Sequence, residues 1–351
     1  MGKAGTLAIP TADILEAVQR CWGFNSLRPL QAQAIQAELE HRDSLVVLPT
    51  GGGKSLCYQA PPLVAGRTDV VVSPLISLMK DQVDALRTCG YPAAAIYGKL
   101  PLPARLEIER EVMAGLYRLI LLAPERLLAP DFLDLLDRVS VRAFAIDEAH
   151  CISHWGHDFR KEYRQLAVLR KRFPNASLHA YTATATQRVR DDIAAQLGLR
   201  DPLVLVGDFD RPNLVYRVIP RMDLYAQVLE VLARHRGEAV IVYCISRKDT
   251  ETLATRLVTA GVRAAYYHAG MDAEHRRRTQ DAFSHEKLDV IVATVAFGMG
   301  IDRSDVRCVI HAAMPKSVEH YQQETGRAGR DGLPAECILF YSPADAFKWE
   351  S

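Results

Sequence analysis

Eleven residues, Leu45–Ser55 with the sequence LVVLPTGGGKS, constrain the chain most. The apolar run Leu45–Leu48 reads as a short buried strand, and Gly51, Gly52 and Gly53 delay any regular helix until after Gly53. Such a turn can aim successive backbone N–H groups at a phosphate. Lys54 then supplies a point charge for β/γ oxygens, and the Ser55 hydroxyl is suited to Mg²⁺. The general phosphate-loop pattern places a glycine five residues before Gly53, where this chain has Leu48, so only the GK[ST] half is intact. An ordinary glycine-rich turn is the competing reading of this stretch alone.

The surrounding sequence supplies an α/β context. Short branched strands at Val70–Val72, Leu119–Leu122, Val141–Ile146 and Leu178–Tyr181 alternate with helical stretches at Leu75–Arg87, Asp131–Arg138, Tyr163–Arg172 and Gln187–Leu197. Two helical stretches, Asp13–Arg20 and Gln31–Glu40, precede them. The rhythm breaks at the polar, turn-rich segment Gly207–Asn213 and then restarts. Strands are expected at Val215–Ile219, Val240–Tyr243, Ala264–Tyr267, Val290–Ala293, Val306–Ile310 and Cys337–Tyr341. Helices are expected at Leu224–Arg234, Thr250–Thr259 and Glu274–Phe283, with Ser246 and Asp249 forming a capping box. The alternation predicts right-handed βαβ units, hence mainly parallel sheets with helices on both faces, in two domains, 1–207 and 208–351. A length of 351 residues suits two such cores.

Composition narrows the function classes. The formal charge of +1 provides no global basic field, so a polyanion would have to be held by local Lys and Arg. The seven cysteines are scattered without a C-x-x-C pair, which argues against a zinc site and a secreted disulfide framework. No apolar run reaches the length of a membrane span, and no signal-peptide core is present. The expectation is a reduced, cytoplasmic protein with no membrane partner. Met1–Thr6 fits a loose acylation pattern that no second signal supports.

Three further motifs carry chemistry. Asp147-Glu-Ala-His150 follows an apolar strand, where side chains enter the ligand crevice of an α/β sheet. Asp147 is suited to Mg²⁺ and Glu148 to accepting a proton from an attacking water. An acidic helix N-terminus is the alternative for this pair. Gln323-Glu-Thr-Gly-Arg-Ala-Gly-Arg-Asp331 sets Arg327 and Arg330 three apart among glycines, favouring an arginine finger over a solvated helix face. Cys151–Tyr163 gathers Trp155, Phe159, His154, His157, Arg160 and Lys161 directly after the acidic motif. Trp155 and Phe159 are suited to base stacking and Arg160 and Lys161 to phosphates, against a reading as core aromatics and structural histidines. Thr182-Ala-Thr-Ala185 suits a tight contact between domains.

In this order the motifs resemble superfamily 2 helicases, and in detail the RecQ family of DNA helicases. The resemblance runs from about Arg20 to Tyr341. It rests most specifically on the phosphate loop LPTGGGKS and on Ser153-His-Trp-Gly-His-Asp-Phe-Arg160. Trp22-Gly-Phe-Asn-Ser-Leu-Arg-Pro-Leu-Gln31 resembles the family's adenine segment, implying that Phe24 stacks on adenine while Arg28 and Gln31 bond its edge. Thr50, Gly51, Gly52, Gly53, Lys54, Ser55 and Asp302 are implied nucleotide contacts, and Ser55 and Asp147 implied Mg²⁺ ligands. Lys54, Glu148, Gln323, Arg327 and Arg330 are the implied catalytic group. Trp155, His157, Phe159, Arg160, Arg247 and His268 are implied to couple nucleic-acid binding to turnover. Ser73-Pro-Leu-Ile-Ser-Leu-Met-Lys-Asp-Gln82 resembles the first DNA-contact motif.

What the family implies is two RecA-like domains with ATP and Mg²⁺ in the cleft. ATP-driven 3′-to-5′ movement along single-stranded DNA, and action on tailed duplex DNA in repair and recombination, follow from the same likeness. A monomer is expected. The cysteine-rich zinc module and winged helix usual in the family have no counterpart here, so strand separation is expected to be weaker than ATP hydrolysis. Two other readings remain at this stage: an RNA-dependent ATPase, and a nucleic-acid clamp that binds nucleotide without turnover.

Overall fold

The structure is a computed structural model that describes residues 11–98, 100–156, 158–208, 210–294, 297 and 303–345. The chain divides into two compact units at Phe209–Asp210.

The first unit holds seven strands: β1 Ser44–Val47, β2 Asp69–Val72, β3 Ala93–Ile96, β4 Leu119–Leu122, β5 Ala143–Ile146, β6 Ser177–Thr182 and β7 Leu203–Val206. They pair in parallel in the order β3-β4-β2-β5-β6-β1-β7. Alternation inside these apolar runs fills two cores. Val70, Val72, Ile120, Leu122, Phe144 and Ile146 face one helical layer, whereas Val71, Leu119, Leu121 and Ala145 face the other. A strand buried on both faces has no polar side, which is why its sequence reads as a continuous apolar run.

The second unit repeats the plan with six strands: β8 Leu214–Pro220, β9 Ala239–Tyr243, β10 Ala264–Tyr267, β11 Val290–Ala293, β12 Val306–His311 and β13 Ala335–Tyr341. All pair in parallel, in the order β10-β11-β9-β12-β13-β8. Val240 and Val242 enter one core and Ala239, Ile241 and Tyr243 the other. Both units are therefore α/β parallel-sheet domains of RecA-like design. Among the described residues no helix is long and apolar enough to cross a membrane.

Departures from the expected elements have local causes. The stretch 163–172 forms two short helices, Lys161–Gln165 and Val168–Arg172. Hydrogen bonds from Leu166 N to Tyr163 O (3.2 Å), Ala167 N to Arg164 O (3.4 Å) and Leu169 N to Leu166 O (3.0 Å) wind the junction at three residues per turn. That winding keeps Tyr163, Leu166 and Leu169, spaced by three, on one buried face. Strand β3 is Ala-Ala-Ala-Ile, poor in branched residues and hence silent in the pattern. At the helix Arg247–Thr259, Ser246 Oγ accepts from Asp249 N at 3.0 Å. The shorter Asp side chain makes no return bond among the described residues, so the cap is one-sided.

Candidate active site and coupling loop

Strand order places the chemical motifs together. β6 lies between β1 and β5, so the phosphate loop after β1, the acidic motif after β5 and Thr182–Thr184 after β6 share one carboxyl edge. With neighbouring strands about 4.8 Å apart, the ends of β1 and β5 stand roughly 10 Å apart.

Each loop glycine has a separate reason to be there. Gly51 (φ 79°) and Gly53 (φ 80°) sit in the left-handed region. At Gly52 a Cβ would lie 2.8 Å from Pro49 O, and at Gly53 it would lie 2.1 Å from Gln31 Nε2. Lys54 and Ser55 open the helix Lys54–Ala65. Lys54 Nζ donates to Leu48 O (2.9 Å) and Pro49 O (3.5 Å), which lays the ammonium along the loop. Leu48 stands where the general pattern has glycine because it extends the sheet. Its N–H donates to Thr182 O at 3.1 Å, and its side chain is buried in the core.

Arg28 and Gln31 stand behind this loop. Gln31 Oε1 accepts from Arg28 N (2.9 Å) and Gln31 Nε2 donates to Gly53 O (3.2 Å). Arg28 Nη1 donates to Gly51 O at 2.9 Å. Both side chains thus brace the loop backbone, while the Phe24 ring is 53% exposed and open to a stacking partner.

Asp147 is buried at the end of β5, with Oδ1 accepting from Glu148 N at 3.0 Å. Burial first, and the charge of Glu148 second, push its carboxyl up to about 7; Lys54 pulls in the other direction. A carboxylate in this conflict fits a divalent cation, whose charge would favour its ionised form. Tyr58 OH donates to Ser55 Oγ (3.3 Å), leaving that hydroxyl oxygen with further coordinating capacity on the same edge. Glu148 takes φ 50°, a left-handed conformation unusual for a non-glycine residue. Its Oε2 is buried and accepts no hydrogen bond among the described residues, although His150 Nδ1 lies 3.3 Å away. That oxygen is a carboxylate acceptor left unused just after β5.

The sequence reading missed what His150 does. Thr182 Oγ1 donates its one proton to Thr184 O (3.2 Å), so the 2.9 Å contact with His150 Nδ1 requires the imidazole to donate. His150 therefore ties the acidic motif to the end of β6. Thr182, read as a contact between domains, is buried here within the first unit.

The aromatic loop follows at once. Gly156 is required because a Cβ there would lie 2.3 Å from His150 O. Ser153 Oγ donates to Asp192 Oδ2 (2.7 Å) and accepts from Trp155 N (3.2 Å). Trp155 is 59% exposed, with the Arg188 guanidinium 3.2 Å from its ring centroid. Phe159 instead stacks on His154 at 3.8 Å. Arg160 is engaged by Asp158 (3.1 Å) and by Pro74 O (3.3 Å), so it joins this loop to the Ser73–Gln82 motif. His157 lies outside the described residues.

In the second unit the helix Val318–Thr325 carries Gln323 and leads into the arginine turn. Glu324 accepts from His311 Nε2 at 2.7 Å, a pair buried under that helix. Arg327 is buried beside Tyr243, whose hydroxyl is pushed up to about 12 by burial despite the opposing arginine charge. Arg330 is half-buried. Arg211 Nη2 donates to Ala328 O (3.0 Å) and Gly329 O (2.9 Å), and Asn213 Nδ2 to Gly329 O and Leu333 O (both 2.9 Å). These two braces come from the segment read only as a boundary.

His268 and Arg247 meet at one turn of the second unit. His268 is 4% exposed, its Nδ1 accepting from Gly270 N (3.2 Å) and its Nε2 bonded to Glu251 (2.8 Å). Both ring nitrogens are used, so His268 holds this turn. Arg247 packs on that turn, with Nη1 2.9 Å from where a Gly270 Cβ would stand. Asp302 lies outside the described residues. One His/Cys/Glu cluster, His235, Cys308 and Glu336, has ligand atoms close together. Its carboxylate is already paired with Arg217 (3.1 Å) and Arg234 (3.3 Å), and burial holds the Cys308 thiol well above its ordinary range.

Comparison with known proteins agrees with this architecture. The DEAD/DEAH box helicase model matches residues 28–193, and the helicase conserved C-terminal domain model residues 223–332. The chain is 45% identical over 337 residues to the ATP-dependent DNA helicase RecQ of Pasteurella multocida, covering 96% of this chain and 53% of that protein. It is 44% identical over 326 residues to the protein of the same name from Bacillus subtilis, covering 92% and 55%. The chain thus spans about half the length of the curated relatives it matches. Among solved structures, Mycobacterium smegmatis helicase Lhr bound to ssDNA and AMP-PNP superposes with a TM-score of 0.74 at 23% identity, covering 96% of this chain and 48% of that one. The DUF1998 helicase MrfA bound to DNA gives 0.76 at 19% identity, covering 98% and 53%. At those identities the likeness is one of fold. Motifs, fold and relatives converge, and the chain belongs to the RecQ family of superfamily 2 helicases, of which it carries the helicase core.

Proposed function

We propose that this chain hydrolyses ATP and uses the cycle to move along single-stranded DNA, 3′ to 5′, acting on tailed duplexes in genome repair and recombination. The observation that carries the reading is the shared carboxyl edge, where Lys54 and Ser55 after β1 face Asp147 and Glu148 after β5 across β6. In this reading Phe24 stacks on the adenine, and the loop N–H groups with Lys54 bind the β- and γ-phosphates. Ser55 and Asp147 are the residues that would hold Mg²⁺, which when bound would supply charge neutralisation on the phosphate oxygens. Glu148 Oε2 takes the proton of a water whose oxygen bonds to the γ-phosphorus, while the bond to the β–γ bridging oxygen breaks and ADP leaves. Gln323, Arg327 and Arg330 belong to the same turnover, the arginines offsetting charge on the transferred phosphoryl group. Trp155 offers an exposed ring to bases, which suits a motor indifferent to sequence. The names of the curated relatives support DNA over RNA as the track. Action as a monomer in the cytoplasm completes the reading.

Steady-state ATP hydrolysis tests it, measured without polymer, with single-stranded DNA and with single-stranded RNA. Stimulation by DNA above RNA is expected, with Glu148→Gln lowering kcat by roughly 10²–10⁴. Equal stimulation by RNA would move the track assignment, and unchanged turnover in Glu148→Gln would leave a nucleotide-binding clamp.

A further inference from the structure

The helix Gln187–Leu197 begins directly after Thr186, whose hydroxyl caps it, and its second residue is Arg188. A cation in the first turn of a helix opposes the helix dipole, so helix stability does not account for this residue. The other polar side chains of that turn are paired among themselves or with the backbone. Gln187 donates to Asp191 (2.7 Å), and Arg190 bonds Ala185 O (3.0 Å) and Gln187 Oε1 (2.6 Å). Asp192 is taken by Ser153 (2.7 Å).

Arg188 is different. Among the described residues it forms no hydrogen bond and no ion pair, and its guanidinium lies over the Trp155 ring, 3.2 Å from guanidinium carbon to ring centroid. A guanidinium resting on an aromatic face uses its own face, so the N–H donors in its plane remain available to an anion. Trp155 meanwhile stays 59% exposed, which leaves ring surface beyond that occupied by the arginine. An aromatic surface for a base and a planar donor fork beside it make up one nucleotide's worth of recognition: base on the ring, phosphate on the fork.

We infer that Arg188 is a nucleic-acid contact residue, binding a backbone phosphate of the strand whose base stacks on Trp155. The inference rests on the proposed DNA track and adds to it a phosphate ligand from outside the aromatic loop. The contact also makes Arg188 a positioning residue, since the guanidinium fixes the orientation of the indole before the strand arrives.

The test is equilibrium binding of a fluorescently labelled oligo(dT) to the whole chain, titrated across about 50 to about 200 mM salt, for wild type, Arg188→Ala and Arg188→Lys. One phosphate contact on a single strand contributes a slope of about 0.7 in log K against log salt. Arg188→Ala is expected to bind more weakly at low salt and to lose about that much slope. Its affinity deficit should therefore shrink by about threefold over the salt range. Arg188→Lys keeps the charge without the planar fork, so the slope should be retained. An Arg188→Ala slope and affinity equal to wild type would overturn the inference and leave the arginine a packing group on Trp155. Absence of oligo(dT) binding by the wild type is a separate failure, and it would overturn the DNA reading together with this one.

Discussion

His150 Nδ1 donates to Thr182 Oγ1 across 2.9 Å, joining the end of β5 to the end of β6. Both residues are buried, and the next link of the chain is Thr182 to Thr184 O at 3.2 Å. The neighbour of His150 on its other side is Glu148 Oε2, 3.3 Å away. His150 thereby stands between Thr182 and the oxygen assigned to receive the water proton.

Thr182→Val tests that link with little change of volume. It removes the acceptor for His150 Nδ1 and leaves a buried donor unsatisfied, at about 1–3 kcal/mol in stability. Nucleic-acid-stimulated kcat should fall while the KM for ATP stays near wild type, since the hydrogen bonds of the Thr182 hydroxyl run to His150 and Thr184 rather than to the phosphate loop. A rise in KM with kcat preserved would place Thr182 in nucleotide binding instead.

Gly53→Ala is expected to damage the phosphate loop by two independent routes. The φ of 80° costs an L-residue about 1–2 kcal/mol, and the new methyl would meet Gln31 Nε2 at 2.1 Å. Trimming the obstacle in Gly53→Ala/Gln31→Ala therefore relieves only the second route. Fluorescent ATP-analogue binding should weaken by roughly tenfold or more in the single variant, corresponding to about 1.4 kcal/mol or more, and recover only in part in the double. Full recovery would show that the backbone conformation at Gly53 is not required.

Much of this was legible in the sequence, for physical reasons. Strands buried on both faces, such as Val70–Val72 and Leu119–Leu122, show as apolar runs, and a loop needing positive φ shows as Gly51 and Gly53. Residues whose role depends on a distant partner left no such mark. Arg188 lies 33 positions from Trp155, and Arg211 braces Gly329 from 118 positions away. The burial of His268 was not legible either, because a buried histidine and an exposed one look alike until the partners Glu251 and Gly270 are seen. The partners of Arg160, Asp158 and Pro74 O, left no mark in the sequence pattern.

The pH dependence of stability carries a signature of His179. It is fully buried between Ser44 and Ser177, with ring nitrogens 2.8 Å from each hydroxyl. Burial, with the charges of Arg67, His41 and Arg170, lowers it to about 3. The unfolded chain takes up this proton below about 6.5 and the folded chain does not, so the contribution of His179 is present at neutral pH and lost as pH falls. Asp69 opposes it, because burial raises that carboxyl to about 6 and the folded state then holds the extra proton at lower pH. Total stability is therefore a poor readout, and the difference between wild type and His179→Asn is a better one. In urea titrations that difference should shrink by about 1.4 kcal/mol per pH unit below about 6.5. A difference constant from pH 7 to pH 5 would mean that His179 is not held neutral.

Glu324 is expected to control the arginine turn from beneath. Its carboxylate meets His311 Nε2 at 2.7 Å inside the second unit, three residues before Arg327. The other ring nitrogen, His311 Nδ1, already lacks a hydrogen-bond partner among the described residues, so this contact carries the polar satisfaction of the ring. Tyr243 stacks on His311 at 5.4 Å and Tyr321 packs against it, tilted by 59°, at 4.9 Å, so two aromatic rings flank the imidazole. Glu324→Ala removes the partner and opens a space under the helix Val318–Thr325, at about 1–3 kcal/mol for the unmet polar group. Glu324→Gln keeps the size and an acceptor oxygen. If the pair positions Arg327, Glu324→Ala should lower kcat for ATP by roughly tenfold, or about 1.4 kcal/mol in the barrier, with KM little changed. Glu324→Gln should recover most of that loss. Equal kcat in all three proteins, alongside a lowered melting temperature for Glu324→Ala, would confine the pair to stability.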